Sequence, residues 1–447
     1  MDKSKILSFV SLLLLSNGLL AQGRQWTLQE CLDYALQNNI QLQQKKITTK
    51  SSHESTLQSK SALFPSVSFS TNQNMNYRPF SKQTITLDNG TMTTSSNALS
   101  YNGSYGINAN WTVWNGNRNR ITIKKNELTE QQNELAEEEQ ANTIQEQITQ
   151  LYVQILYETE AIKVDEEILK ASQVQLDRAK AMVEVGSLAH VDQVQLEAQV
   201  AQDQFNLVSA QTQLENYKLQ LKQLLEIHGD ETFDIATPNI SDERVLDMIP
   251  DQASVYNTAL ESRPEIKTKQ LAIDASELSI KSARAGYMPT VSMSANINTG
   301  NGSAQSGTFG DQLKSNMSNS LGITVSVPIF DNLQTRTNIR QAKYAQQTAQ
   351  LQLQDAEKQL YSKVENYYLN ASTYQQKYIY AKKNADSMNE SYELVSEQFR
   401  LGLKNIVELT TGKNNLLQAE QQLLETKYTA LYNEAMLRFY QGQDINL

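Results

Sequence analysis

Two tracts of this chain, Asn117–Val185 and Leu333–Leu401, contain neither Gly nor Pro, the residues that most readily interrupt a helix. Uninterrupted, each predicts one helix of about 100 Å at 1.5 Å per residue. Such helices need support along their whole length, and the apolar spacing supplies it. Ile148, Ile155, Ile162, Leu169, Leu176 and Val183 recur every seventh residue, and so do Val364, Ala371, Tyr378, Ala385, Tyr392 and Phe399. Beyond Gly186 and Gly402 the stripe resumes as Val200, Leu207, Leu214 and Leu221, and as Leu416, Leu423, Ala430 and Leu437. A sustained seven-residue period is coiled-coil packing, so each tract folds back at its Gly into a long helical hairpin.

The pair of tracts reflects a duplication. Ala35-Leu36 matches Ala259-Leu260 and Pro65 matches Pro289, both displaced by 224 (289 − 65); Gly106 matches Gly322, Trp114 matches Phe330, Arg120 matches Arg336 and Gly186 matches Gly402, all displaced by 216 (402 − 186). One hairpin loop is therefore shorter in the second copy. Each copy reads helix, two strands, very long helix, Gly-containing turn, long helix. Thr27 with Glu30 reads as a capping box opening the first helix, and Pro264 predicts a helix restarting with proline in its first turn. Between the copies, Glu226–Asp251 carries Gly229, Pro238 and Pro250 and reads as a linker with little regular structure.

The four strands alternate with period two. Val67, Phe69, Met75 and Tyr77 face away from Ser66, Ser68, Ser70, Asn72, Asn74 and Asn76. The second sets Leu99, Tyr101, Tyr105, Ile107, Ala109, Trp111 and Val113 against Ser100, Asn102, Ser104, Asn108, Asn110 and Thr112. The third sets Val291, Met293, Ala295 and Ile297 against Ser292, Ser294, Asn296 and Asn298; the fourth sets Leu321, Ile323, Val325, Val327 and Ile329 against Ser320, Thr324 and Ser326. A soluble sheet packed on a core alternates in the same way, but these polar faces hold almost no charge and the apolar faces carry Tyr and Trp, which favour membrane interfaces. About ten residues is the length of a membrane strand. Four strands cannot close a barrel, and an open edge in lipid leaves unpaired backbone groups at several kcal/mol each, so the chain is expected to oligomerise.

Composition narrows the class further. Lys3 and Lys5 precede the apolar stretch Ile6–Leu15, with Ala21 before Gln22, which reads as a secretory signal peptide over residues 1–21. The mature segment offers no stretch of 18 or more apolar residues, which excludes a helical membrane protein but not a β-barrel. The formal charge is −10, and removing Asp2, Lys3 and Lys5 leaves −11; such a surface repels nucleic acid. The single cysteine, Cys31, has no intrachain partner. His53, His190 and His228 lack ligand spacing, and the sequence carries no phosphate loop, dinucleotide glycine pattern or nucleophile elbow. No cofactor, metal site or catalytic centre is expected.

The chain resembles the outer-membrane efflux protein family, the TolC-like exit ducts of tripartite pumps and type I secretion systems. The resemblance rests on Trp26-Thr27-Leu28-Gln29-Glu30-Cys31 with Ala35-Leu36-Gln37-Asn38-Asn39, on Pro65 and Pro289 at the entries to strands, on Val327-Pro328-Ile329-Phe330-Asp331 leading to Arg336, and on the turns at Gly186 and Gly402. It implies a mainly α fold with a small β part. Three copies would close a twelve-stranded barrel, continuous with an α-barrel of coiled-coil hairpins, in the outer membrane and periplasm of a Gram-negative bacterium. The implied partners are a periplasmic adaptor, an inner-membrane RND or ABC pump, and outer-membrane lipid. The implied organisation is a first repeat over 22–228, a linker over 229–250 and a second repeat over 251–447. The turns carry the implied gate. A Gly followed by a base two residues on and an acid six on falls on Gly402, Lys404 and Glu408, and Asp192 lies six after Gly186. The resemblance makes Asp192 and Lys404 a tie between hairpins and Glu408 an acidic ring; Phe399 and Thr411 stand where a Tyr and a second acid would strengthen tie and ring. Gly186, Ser187, Gly402 and Leu403 are the adaptor-contacting turns. The competing readings are a structural coiled-coil envelope or surface protein, which leaves the strands unexplained, and a secreted enzyme, for which no constellation exists.

Overall fold

The structure, a computed structural model, describes residues 25–79, 82–87, 90–95, 99–228, 233–238, 240–303 and 305–447. The expected signal segment and residues 229–232 and 239 of the linker lie outside the described residues. In chain order the elements are β1 (Gln25–Trp26), α1 (Leu28–Asn38), α2 (Ile40–Ser61), β2 (Ser66–Tyr77), β3 (Lys82–Leu87), β4 (Gly90–Ser95), β5 (Leu99–Trp114), α3 (Arg118–Glu184) and α4 (His190–Leu224). There follow β6 (Asp234–Ile235), α5 (Asp242–Val245), α6 (Gln252–Ser262), α7 (Pro264–Arg284), β7 (Thr290–Gly302), α8 (Phe309–Ser315), β8 (Ser318–Ser326), α9 (Gln334–Arg400) and α10 (Ile406–Tyr440). The long helices α3 and α9 have 67 residues each, and α4 and α10 have 35 each. Pro264 opens α7, its missing N–H lying where a helix start has no intrahelical partner for it. The hairpin β3–β4 and the helix α8 were not foreseen; they occupy the two strand-to-strand loops.

The chain divides into two compact units: one of residues up to Ile47, Glu134–Thr268 and Leu353–Leu447, the other of Thr48–Asn133 and Lys269–Gln352. The second holds an antiparallel sheet in the order β2-β5-β7-β8. Its register aligns the apolar positions: Phe69 pairs Ile107, Ile107 pairs Ile297, Met293 pairs Ile323 and Val291 pairs Val325. A bulge between Thr112 and Trp114 adds local twist. One face is thus continuously apolar, yet it covers no core, since Phe69 is 67% exposed, Met75 68%, Leu321 70% and Ile323 67%. A soluble half-buried sheet would hide that face. The fourth strand stops at Ser326 rather than Ile329, because Pro328 has no N–H to give a ladder.

In the other unit, Thr27 and Glu30 form the expected capping box. Its core gathers Ile144, Ile148, Tyr152 and Ile155 of α3, Val364, Ala371 and Tyr378 of α9, and Leu431, Met436, Leu437 and Tyr440 of α10 around Cys31. The segment between α4 and α6 is held more firmly than a linker reading implies: Gln25 and Trp26 pair in parallel with Asp234 and Ile235, the Tyr152 hydroxyl donates to the Ala236 carbonyl at 2.7 Å, and Ile235, Ile240 and Val245 are buried. The coiled-coil seam of α3 holds at Ile148, Ile155 and Leu176, but Ile162 and Leu169 are only half buried, while Ala161, Asp165, Ile168 and Ser172 take the buried positions. An α-helix drifts about 20° per heptad against a strict seven-residue line, so over 67 residues the buried stripe walks off that line.

Candidate functional site

The expected gate residues sit where α3 turns into α4 and α9 into α10. Both turns close the same way. Gly186 and Gly402 share φ +72°, and the Ser187 and Leu403 N–H groups each donate to the carbonyl five residues back, Met182 and Gln398, at 2.9 Å. This is a Schellman closure, which needs a residue in the left-handed region and so favours Gly.

The helix starts beyond the turns differ. Asn405 caps α10 and forms a capping box with Glu408: the Glu408 N–H donates to Asn405 Oδ1 at 3.0 Å and the Asn405 N–H to Glu408 Oε2 at 3.2 Å. Lys404 also forms an ion pair with Glu408. The Lys404 hydrogen bond, then the Asn405 N–H, hold the Glu408 carboxyl below the usual carboxylate range. At the first turn Ala189 caps α4 with no side-chain bond, and Asp192, at the position matching Glu408, is half-buried and makes no ion pair among the described residues. Within this chain, then, Lys404 is drawn to Glu408, and Asp192 is left available. Thr411 is exposed.

Phe399 is buried at 3% exposure, in a cluster with Leu176 and Ala179 of α3, Leu196 of α4, and Ile406 and Leu409 of α10. All four helices of the two hairpins contribute to it. Gln175 Nε2 adds a hydrogen bond to Ser396 Oγ at 2.9 Å.

One constellation escaped sequence reasoning. Lys413 on α10 and Asp203 on α4 form an ion pair with side chains only 4% and 3% exposed. Ser172 on α3 donates to Asp203 Oδ2 at 2.5 Å, Lys413 Nζ lies 3.1 Å from Ser172 Oγ, and Gln199 Nε2 donates to Asp203 Oδ1 at 2.9 Å. Burial pulls the Lys413 ammonium below the usual lysine value. Nearby, burial pushes the Asp165 carboxyl up. The available signal was positional: Asp203 stands between Leu196 and Leu207 and Lys413 between Leu409 and Leu416, both on apolar seams. Shifted by 216, Asp203 meets Ala419 and Ser172 meets Met388, while Lys413 falls back on Glu197, so the cluster belongs to one copy arrangement only.

Among the described residues, no group of three or more His, Cys, Asp or Glu side chains could hold a metal ion. No described helix is long and apolar enough to cross a membrane. The arrangement offers packing, caps and an ion pair at a pair of turns.

Comparison with known proteins identifies the family. The chain is 26% identical over 277 residues to the outer membrane protein TolC of Escherichia coli K12, covering 59% of this chain and 54% of that one. It is 25% identical over 184 residues to the alkaline protease secretion protein AprF of Pseudomonas aeruginosa, covering 41% and 37%. It thus spans about half the length of the curated relatives it matches. Among solved structures, CusC superposes with a TM-score of 0.79 at 16% identity over 95% of this chain and 96% of that one. The outer membrane protein VceC of Vibrio cholerae does so with 0.77 at 14% identity over 94% and 97%. At such identities the shared property is the fold. The sequence profile of the outer membrane efflux proteins matches residues 31–226 and 255–443, so the chain belongs to the outer membrane efflux protein family, whose place is the Gram-negative outer membrane.

Proposed function

We propose that three copies of this chain form a passive exit duct, which carries substrates across the periplasm and outer membrane for a tripartite efflux pump or a type I secretion system. The observation that carries the proposal is the sheet. Its apolar face is exposed, its other face is Ser, Thr and Asn, and its edges β2 and β8 have no partner among the described strands. In lipid those edges must be paired. Pairing β8 of one copy with β2 of the next, three times, closes twelve strands around a wet lumen. Two duplicated halves, 22–228 and 251–447, joined through 229–250, give each copy its two hairpins. The chain supplies no catalysis in this reading, and the motive power comes from an inner-membrane RND or ABC pump.

The turns are the gate. Asp192 and Lys404 tie neighbouring hairpins, Glu408 rings the constriction, Phe399 packs where a Tyr could have joined the tie, and Thr411 leaves the ring with one acid per chain. Opening moves Lys404 between Glu408 and Asp192. A periplasmic adaptor engages Gly186, Ser187, Gly402 and Leu403, and the neighbouring Val185, Val191, Leu401, Leu403 and Val407 are all more than half exposed, an apolar tip without an internal use. Planar-bilayer recording tests the gate: Lys404→Ala should open more readily than the parent, and equal opening refutes the tie. Crosslinking in the native cell tests the assembly, and capture of neither an adaptor nor an inner-membrane pump would sink it.

A further inference from the structure

The unit that carries the sheet also carries a concentration of positive charge that the duct reading leaves unused. The chain as a whole has a formal charge of −10, yet no Asp or Glu occurs between Trp114 and Glu127 or between Asp331 and Asp355. Those gaps hold Arg120, Lys124, Arg336, Arg340 and Lys343, all exposed and without an ion-pair partner among the described residues. Of the acids that bound these gaps, Glu127 pairs with Lys60 at 3.0 Å and Asp331 accepts the Thr335 N–H at 2.8 Å.

Their direction follows from the packing. The helices α3, α7 and α9 share a cavity of about 710 Å³, lined by Arg118, Thr122 and Lys125, by Ser279 and Ser282, and by Gln334 and Asn338. Two residues turn a helix by about 200°, so Arg120 and Lys124 lie across α3 from Arg118, and Arg336, Arg340 and Lys343 lie across α9 from Gln334. The five cations therefore lie on the side away from that cavity. Their positions repeat with the duplication, Arg120 with Arg336 and Lys124 with Arg340, displaced by 216.

Their height is set by the sheet. Ser66 pairs Asn110 and Thr290 pairs Ser326, so β2 and β7 begin at the end where β5 and β8 finish, and α3 and α9 start there. At that end Phe64, Trp114, Ile329 and Phe330 project with 73%, 41%, 98% and 77% exposure. Aromatic side chains at the end of an apolar band, followed over the first three helical turns by unpaired cations, is the order of a bilayer's own interface, hydrocarbon and then headgroup.

We propose that Arg120, Lys124, Arg336, Arg340 and Lys343 form a collar for the phosphodiester headgroups of anionic glycerophospholipid in the periplasmic leaflet. This rests on the barrel reading of the sheet. It fixes the vertical position of the barrel and leaves the conducted substrate untouched.

The test uses the full chain in vesicles of phosphatidylcholine with or without 30% phosphatidylglycerol, at about 50 mM and 500 mM salt, the second of which shortens the Debye length toward 3 Å. Native mass spectrometry of extracted protein reads the retained lipid, and heat-modifiable gel migration reads the barrel. The parent should retain phosphatidylglycerol over phosphatidylcholine, by about fivefold per cation engaged at low salt, and lose the preference at high salt. The combined variant Arg120→Gln, Lys124→Gln, Arg336→Gln, Arg340→Gln, Lys343→Gln should still migrate as a barrel but bind both lipids equally, and the Arg→Lys versions should keep the preference. Equal lipid retention by the parent overturns the collar while its gel migration leaves the barrel standing; loss of heat-modifiable migration in the parent refutes the barrel itself. If inorganic phosphate at millimolar concentration displaces the phosphatidylglycerol, the site is one for free anions and the lipid assignment fails. Should the neutral variant not fold, the parent's preference and its salt dependence decide alone.

Discussion

Replacing Lys413 by Met should destabilise the helical hairpins by about 3 kcal/mol. The variant leaves the Asp203 carboxylate, 3% exposed, with Ser172 and Gln199 as its remaining donors, each worth about 1 kcal/mol net. Breaking a buried pair from one side costs about 3–5 kcal/mol, and the two remaining donors place this case at the low end. That is a change of more than about a hundredfold in the folded-to-unfolded ratio at 1.4 kcal/mol per decade. Asp203→Asn should cost less as pH rises, because Lys413 can shed its proton. Its folded pKa is already lowered by burial, so between that value and about 10.4 the unfolded chain binds more protons and stability climbs with pH. The double variant Lys413→Met, Asp203→Leu removes both charges and should fall between neutral and about 4 kcal/mol more stable than the parent. Urea unfolding in detergent, followed by the helical circular dichroism signal, measures all three. Single variants within 1 kcal/mol of the parent, or a double variant whose loss equals the sum of the singles, would refute the claim that these side chains act as one buried pair.

Three further outcomes follow from the geometry. Gly402→Ala should cost about 1 kcal/mol in the same urea assay, because φ is +72° and an added Cβ meets nothing within 4 Å; Gly116→Ala should cost more, since its Cβ would sit 2.8 Å from Met288 Cβ. Ile323→Arg, on the apolar face, should lose about 2–4 kcal/mol at mid-bilayer and with it the heat-stable oligomer on gels, whereas Thr324→Arg on the opposite face should keep that oligomer and alter conductance. Glu408, its pKa depressed by Lys404, contributes stability that is complete above about pH 4.3 and fades as pH falls through the lower folded value. Stability in the urea assay should therefore fall on acidification below about pH 4.3 more steeply in the parent than in Glu408→Gln.

How far the residues spoke for themselves varied with the kind of interaction. The capping box at Thr27 and Glu30, the start of α7 at Pro264 and the strand alternation all depend on neighbours within a few positions, and the structure places them where local chemistry puts them. The end of β8 was read three residues late, because alternation continues through Val327 and Ile329 although Pro328 ends the ladder. The Lys413 and Asp203 pair was missed because each charge, taken alone, looks like an ordinary polar residue on a long helix. Only their convergence from α10 and α4 marks them as partners.

The amino-acid sequence by itself determined the long helices, their hairpin turns and the four amphipathic strands, because helix period, glycine conformation and strand alternation are properties of adjacent residues. Tertiary structure decided which stripe of α3 is buried over 67 residues, that Phe399 closes a four-helix cluster, and that Lys413 and Asp203 meet as a buried pair. Those outcomes depend on helical drift and on distances between segments more than 200 residues apart, as for Lys413 and Asp203, and no local rule carries that information.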